Sequence, residues 1–148
     1  MESYPKAYLY RRVVKAKCFM DAHYADPLDL TEISSEAAFS RYHFIRLFKA
    51  IYGLAPHAYL TRVRMEKAQG LLGRGMQVTD VCMAVGFTSP ATFSRLFKRH
   101  VGVAPSTYRE DQLARAEALA LEPLAFIPGC FARFNGWLQN RNFGQELS

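Results

Sequence analysis

The chain has 148 residues, 50% of them hydrophobic and 14% aromatic: enough apolar material for a packed core and too much for a disordered segment. Its 19 Lys and Arg residues against 13 Asp and Glu give a net charge of +6, which points toward an anionic partner. Cys18, Cys82 and Cys130 form no CxxC pair and the apolar runs are far too short for a bilayer, which argues against a disulfide framework, a cysteine zinc site and a membrane span.

The N-terminus carries no apolar stretch of signal-peptide type, so the expected location is the cytoplasm. In chain order, a first helix is expected over residues 5–24, packing through Tyr8, Val13, Val14 and Phe19 until Asp26 and Pro27 end it. A second helix begins near Leu28. Asp29 is placed to cap it with Glu32 as capping-box partner, and Leu28 and Ile33 flank the cap as a staple. It closes at the small pair Ala37 and Ala38.

Ser40 caps a third helix reaching Tyr52, in which Phe44, Leu47, Phe48 and Ile51 fall at helical spacing as one buried stripe. The opposite face presents Arg41, Tyr42, Ile45, Arg46 and Lys49. Gly53 ends it and Pro56 opens a fourth helix to Leu72, with Tyr59, Leu60, Val63, Ala68, Leu71 and Leu72 roughly in period. At 1.5 Å per residue that helix is ~26 Å long. Residues 78–85 read as a fifth helix closed by Gly86 in a left-handed turn. Ser89 and Pro90 then start a sixth, with Phe93, Leu96, Phe97 and His100 as its stripe and Pro90, Ala91, Ser94, Arg95 and Lys98 opposite. Beyond it, residues 110–121 continue as helix with Leu113, Ala116, Ala120 and Leu121 inward. Pro123, Pro128 and Gly129 break it. Phe126, Phe131, Phe134, Trp137 and Phe143 follow, and they either pack on the domain or form a surface for a partner or second copy.

Two of these helices are copies. Shifting residues 40–59 by 49 positions matches ten of twenty, among them Ser40/Ser89, Phe44/Phe93, Arg46/Arg95, Phe48/Phe97, Lys49/Lys98, Gly53/Gly102, Pro56/Pro105 and Tyr59/Tyr108. Upstream the offset becomes 48, pairing Thr31/Thr79, Ala38/Gly86 and Phe39/Phe87, so the second turn is one residue longer. A duplicated helix-turn-helix unit explains this. Charge follows the copies: residues 1–111 net +6 and residues 112–148 net zero, and neither 40–52 nor 89–101 contains an acid. A helix with an aromatic buried face and an Arg, Tyr and Lys outer face, entered through a tight turn, suits a major groove.

The run from Val85 through Gly86-Phe87-Thr88-Ser89-Pro90-Ala91-Thr92-Phe93-Ser94-Arg95-Leu96-Phe97-Lys98-Arg99 to Pro105-Ser106-Thr107-Tyr108-Arg109 strongly resembles the signature of AraC/XylS-type transcription regulators. Residues 40–49 and 64–68 resemble the rest of that DNA-binding domain. The resemblance covers about residues 8–111 and implies an all-α fold of two helix-turn-helix units, about 28–53 and 77–103, joined by a linker helix at about 56–72. Residues 112–148 are then a C-terminal extension of unassigned role. The resemblance also implies a bacterial protein that binds promoter DNA as a monomer and lacks a sensor domain, with RNA polymerase as second partner.

Carried over by position, the base-facing residues are Arg41, Tyr42, Ile45 and Arg46 in the first unit, and Pro90, Ala91, Thr92, Ser94 and Arg95 in the second. Ser40, Lys49, Ser89, Lys98 and Arg99 are the expected phosphate contacts. Ile45, Pro90 and Ala91 reach thymine methyls but make no bidentate hydrogen bonds, so the first unit is expected to discriminate and the second to anchor. Arg46 has an alternative, an ion pair with an acid such as Glu36, and Tyr42 the alternative of covering the turn. His23, His43, His57 and His100 show no ligand spacing, and neither a metal nor a cofactor is expected. Cys82 reads as core. Two other functions remain on the table: a DNA-repair alkyl acceptor using Cys130, and a protein-interaction module whose basic faces meet acidic protein.

Overall fold

A computed structural model of the chain describes residues 4–36 and 40–136. Among these the secondary structure is entirely helical: α1 (Tyr4–Ala22), α2 (Leu30–Glu36), α3 (Arg41–Tyr52), α4 (Pro56–Gly73), α5 (Val78–Ala84), α6 (Pro90–Val101), α7 (Pro105–Leu121), a short 3-10 turn (Pro123–Phe126) and α8 (Gly129–Phe134). The fold is the expected pair of helix-turn-helix units on one long helix, followed by a C-terminal tail. No helix among the described residues is long and apolar enough to cross a membrane.

Each unit has its own core. Val13, Ala16, Met20, Ile33, Phe44, Phe48 and Leu60 form the first; Met65, Ala68, Leu72, Val81, Cys82, Val85, Phe93 and Phe97 form the second. α4 belongs to both, its first half to one core and its second half to the other. This explains why the sequence pattern along α4 shows no clean single stripe. The Val13/Ala16/Met20 spacing on α1 recurs as Met65/Ala68/Leu72 on α4, so α1 does for the first unit what the end of α4 does for the second.

Several inward assignments need correction. Of the residues expected to pack α1, Val13 is buried, but Tyr8, Val14 and Phe19 are exposed; Ala16 and Met20 fill the core instead. Ile51 and His100, the fourth members of the two stripes, are exposed as well. The core is served by every fourth residue, Phe44, Phe48 and Tyr52 or Phe93, Phe97 and Val101, which turns positions 51 and 100 away. Leu113, Ala116, Ala120 and Leu121 are not inward either: from Leu113 onward every residue of α7 is exposed, because the helix runs past the second core. The described tail aromatics are all exposed: Phe126, 37% exposed, lies 5.7 Å from the Arg115 guanidinium, and Phe131 and Phe134 are 52% and 90% exposed. Trp137 and Phe143 lie outside the described residues, as does the Ala37–Ala38 turn.

The two units meet at the loop between α1 and α2. Arg64 on α4 donates from Nε to the Tyr24 carbonyl (2.7 Å) and from Nη2 to the Asp26 carbonyl (2.9 Å), and its guanidinium lies 5.5 Å from the centroid of Phe87 in the second unit's turn. Tyr24 packs on both cores. Burial lowers the Arg64 pKa, the cost of placing a cation there. Gly86, with φ of +89°, lies so close to this loop that an added Cβ would sit 2.8 Å from the Ala25 carbonyl oxygen. Glycine is therefore required there twice, for conformation and for space. Arg109 ties α7 to the end of α4 in a related way, donating to the Gly75 carbonyl at 2.9 and 3.1 Å and to the Met76 carbonyl at 3.1 Å.

A second tie joins α1 to α4. The Tyr59 hydroxyl donates to Asp21 Oδ1 at 2.6 Å, and Lys17 Nζ pairs with Asp21 Oδ2 at 2.7 Å. Burial pulls the Asp21 carboxyl up, but the Lys17 and Tyr59 hydrogen bonds outweigh it and hold it below its ordinary 3.8. Burial and the Asp21 bond push Tyr59 up to about 12.

Two outcomes follow. Gly86→Ala is expected to lower unfolding free energy by about 2 kcal/mol more than Gly53→Ala, which shares a positive φ but meets open space; urea unfolding of the two variants checks this. The Asp21 contribution is present at neutral pH and disappears as pH falls below 3.8 through its lowered folded pKa. The thermal midpoint of the parent chain should therefore fall more steeply on acidification than that of Asp21→Asn. Tyr59 works in the opposite sense, its contribution vanishing as pH rises from 10 through about 12.

Candidate nucleic-acid interface

α3 and α6 begin alike. Ser40 Oγ accepts from the His43 amide at 3.2 Å and Ser89 Oγ from the Thr92 amide at 3.3 Å, so each serine is the N-cap that the sequence calls for. Both end on a left-handed glycine, Gly53 or Gly102, whose amide returns to the Lys49 or Lys98 carbonyl at 2.8 Å. In each, two phenylalanines are fully buried, and the second meets the tyrosine of the following helix edge-on: Phe48–Tyr59 at 5.4 Å and 66°, Phe97–Tyr108 at 5.5 Å and 69°. The aromatic face therefore locks the rotation of each helix about its axis and decides which residues point outward.

On α3 the outward residues are Arg41, Tyr42, Arg46 and Lys49, all exposed, with Tyr42 at 84%; Ile45 is half-buried beside them. The turn that Tyr42 would alternatively cover, residues 37–39, lies outside the described residues. On α6, Pro90, Ala91, Arg95, Lys98 and Arg99 are exposed, while Thr92 and Ser94 are half-buried. The capping hydroxyls of Ser40 and Ser89 sit exposed at the helix entrances, and each keeps a proton to donate after accepting its cap bond.

Electrostatics separate the arginines into two groups. Arg64 and Arg109 are spent on backbone carbonyls and hold the fold. Among the described residues, no hydrogen bond or ion pair engages the side chains of Arg41, Arg46, Arg95 or Arg99; the ion pairs present are Lys17–Asp21 and Arg62–Glu66, and His23 Nδ1 hydrogen-bonds with Asp26. The side chain of Glu36, the acid considered for Arg46, lies outside the described residues. Lys49 on α3 and Lys98, Arg99 and His100 on α6 occupy last turns, where the helix macrodipole favours positive charge. The result is two acid-free cationic helix faces, each rigidly presented and each with unengaged guanidinium donors. Cys82, as expected, is core; Cys130 is exposed at the start of α8. That Arg64 bridges the units is not legible from residue types, since its partners are main-chain oxygens about forty residues away.

A helix-turn-helix domain family matches residues 33–111. Over 103 residues the chain is 33% identical to the HTH-type transcriptional regulator ExsA of Pseudomonas aeruginosa, covering 69% of this chain and 37% of that protein. It is 29% identical over 106 residues to the HTH-type transcriptional activator AarP of Providencia stuartii, covering 71% of this chain and 78% of the other. Among solved structures, the DNA-binding domain of the global transcriptional factor AdpA, determined with a target DNA, aligns with a TM-score of 0.64 and 28% identity, covering 75% of this chain and 96% of that one.

The division of the arginines has a direct check. Arg46→Ala and Arg95→Ala should each change unfolding free energy by less than about 0.5 kcal/mol, whereas Arg64→Ala should cost about 2 kcal/mol in the same urea titration.

Proposed function

The chain belongs to the AraC-type family of helix-turn-helix transcription regulators, and on that footing we propose that it binds promoter DNA sequence-specifically, with α3 and α6 in consecutive major grooves. The observation that carries this proposal is the repetition itself. Two helices with equivalent caps, equivalent aromatic anchors and acid-free basic faces are mounted on one 18-residue helix, α4. At 1.5 Å per residue α4 spans about 27 Å, the order of one duplex turn, so a single chain carries both readers and acts as a monomer.

In this account Arg41, Tyr42 and Arg46 read base edges from α3, with Ile45 against a thymine methyl. From α6, Arg95 is the hydrogen-bonding reader, while Pro90, Ala91, Thr92 and Ser94 offer mainly shape and methyl contact. Ser40, Lys49, Ser89, Lys98 and Arg99 meet phosphates and set the register. The bound protein contacts RNA polymerase in the cytoplasm of a bacterial cell and regulates initiation there. The work is binding rather than catalysis.

Selection from random duplexes tests this, and should return a motif of two half-sites about one helical turn apart. Arg46→Ala should cost ~1–3 kcal/mol and relax preference at one position. Lys98→Ala should weaken all sequences evenly and reduce the salt slope by ~1. Equal small losses for both variants on every sequence would contradict the assigned roles.

A further inference from the structure

The first turns of α4 and the far end of α6 enclose a cleft of about 490 Å³ lined by His57, Ala58, Thr61, Leu96, Arg99 and His100. Three of these six side chains are cationic or can become so, and none is acidic. The side chains of His57, Arg99 and His100 are exposed, and the described residues engage none of the three in a hydrogen bond or ion pair. Thr61 is already committed, its hydroxyl donating to the His57 carbonyl at 3.0 Å. The available donors are therefore two imidazoles and one guanidinium, facing one solvent-filled space from two helices.

We propose that this cleft is an oxyanion site, in which Arg99, His57 and His100 together hold one phosphate-type group. A guanidinium offers a planar pair of donors to such a group, and each imidazole adds a donor and, when protonated, a charge. No carboxylate in the lining competes for them. The nearest charged neighbours along the same helices are Arg62, Arg64 and Glu66 on α4, where Arg62 pairs with Glu66 at 3.3 Å and Arg64 is held by the Tyr24 and Asp26 carbonyls, and Arg95 and Lys98 on α6. The other helices packed on α4 and α6 add no residue to the lining.

The position of the cleft indicates where the anion comes from. At 100° per residue, Arg99 lies between Arg95 on the outward face of α6 and Leu96 on its flank, so the cleft borders the proposed reading surface. His57 follows directly on the first unit. A duplex lying across both readers would bring the backbone between its two major grooves to this place. The source of the anion, though not the site, rests on the DNA-binding proposal.

The test uses the full chain without DNA. Inorganic phosphate is titrated at about pH 6 while the imidazole resonances of all four histidines are followed. Saturable shifts of His57 and His100, with His23 and His43 unmoved, are expected. Arg99→Gln should weaken binding about fivefold, as should His57→Gln, with amide spectra confirming that both variants fold. Absence of shifts, or equal unsaturable movement of all four histidines, would overturn the site. In a second arm a specific duplex is added: displacement of phosphate identifies the DNA backbone as the source, and its retention identifies a separate small oxyanion. Failure of any duplex to bind would count against the proposed function while leaving the phosphate result standing.

Discussion

The arrangement of the whole molecule turns on one arginine. Arg64 places its guanidinium between the Tyr24 and Asp26 carbonyls and the ring of Phe87, so that a single side chain on α4 touches the loop that closes α1 and the turn that precedes α6. Without it, the two units would be joined by α4 and the apolar contacts of that loop alone, with no hydrogen bond to fix how one cationic face is turned relative to the other. The contact is completed by the approach of Ala25 to Gly86 and by Tyr24, which packs on both cores. Hydrogen bonds to a charged group are worth about 1.5–3 kcal/mol, comparable to the cost of drawing a guanidinium partly out of water. Its value lies in fixing geometry as much as in net stability.

Around that clamp the chain is built twice. α2, α3 and the start of α4 repeat as α5, α6 and the start of α7, down to the edge-on tyrosine behind α3 and α6. The duplication is incomplete in an instructive way. α1 supplies the first unit with a three-residue core contribution, and the second half of α4 supplies the second unit with its equivalent. The linker is thus also a structural wall of the second unit. The copies have diverged on their outer faces: an Arg-Tyr pair enters α3 where Pro-Ala enters α6, while the arginine and lysine one and two turns on are retained.

What the sequence made legible were features with short-range causes. Serine caps, proline at the first helical position, terminal glycines and paired phenylalanines act within one turn or two, and the helices appeared where those signals put them. Features with long-range causes stayed hidden. Arg64 bonds to main-chain oxygens, which leave no mark on residue type. Val14 and Phe19 look like core residues, but α1 faces its core through Val13, Ala16 and Met20, and an apolar residue one step off that stripe stays in water. Ile51 and His100 fail for the same reason. α7 shows the converse: its helical period is real, but the core it would face ends before Leu113. Of the candidate site, the cationic faces were visible as acid-free runs. The cleft was not, since His57 and His100 come from different helices and become neighbours only on folding.

The central claim is that the two units form one body whose reading helices are held in a single orientation before any DNA arrives. Residual dipolar couplings measured on the DNA-free chain address it directly. One alignment tensor, of equal magnitude and direction, should fit the amides of α3 and α6 together. Two tensors of different magnitude would mean that the units tumble semi-independently, and the clamp at Arg64 would not be what sets their geometry.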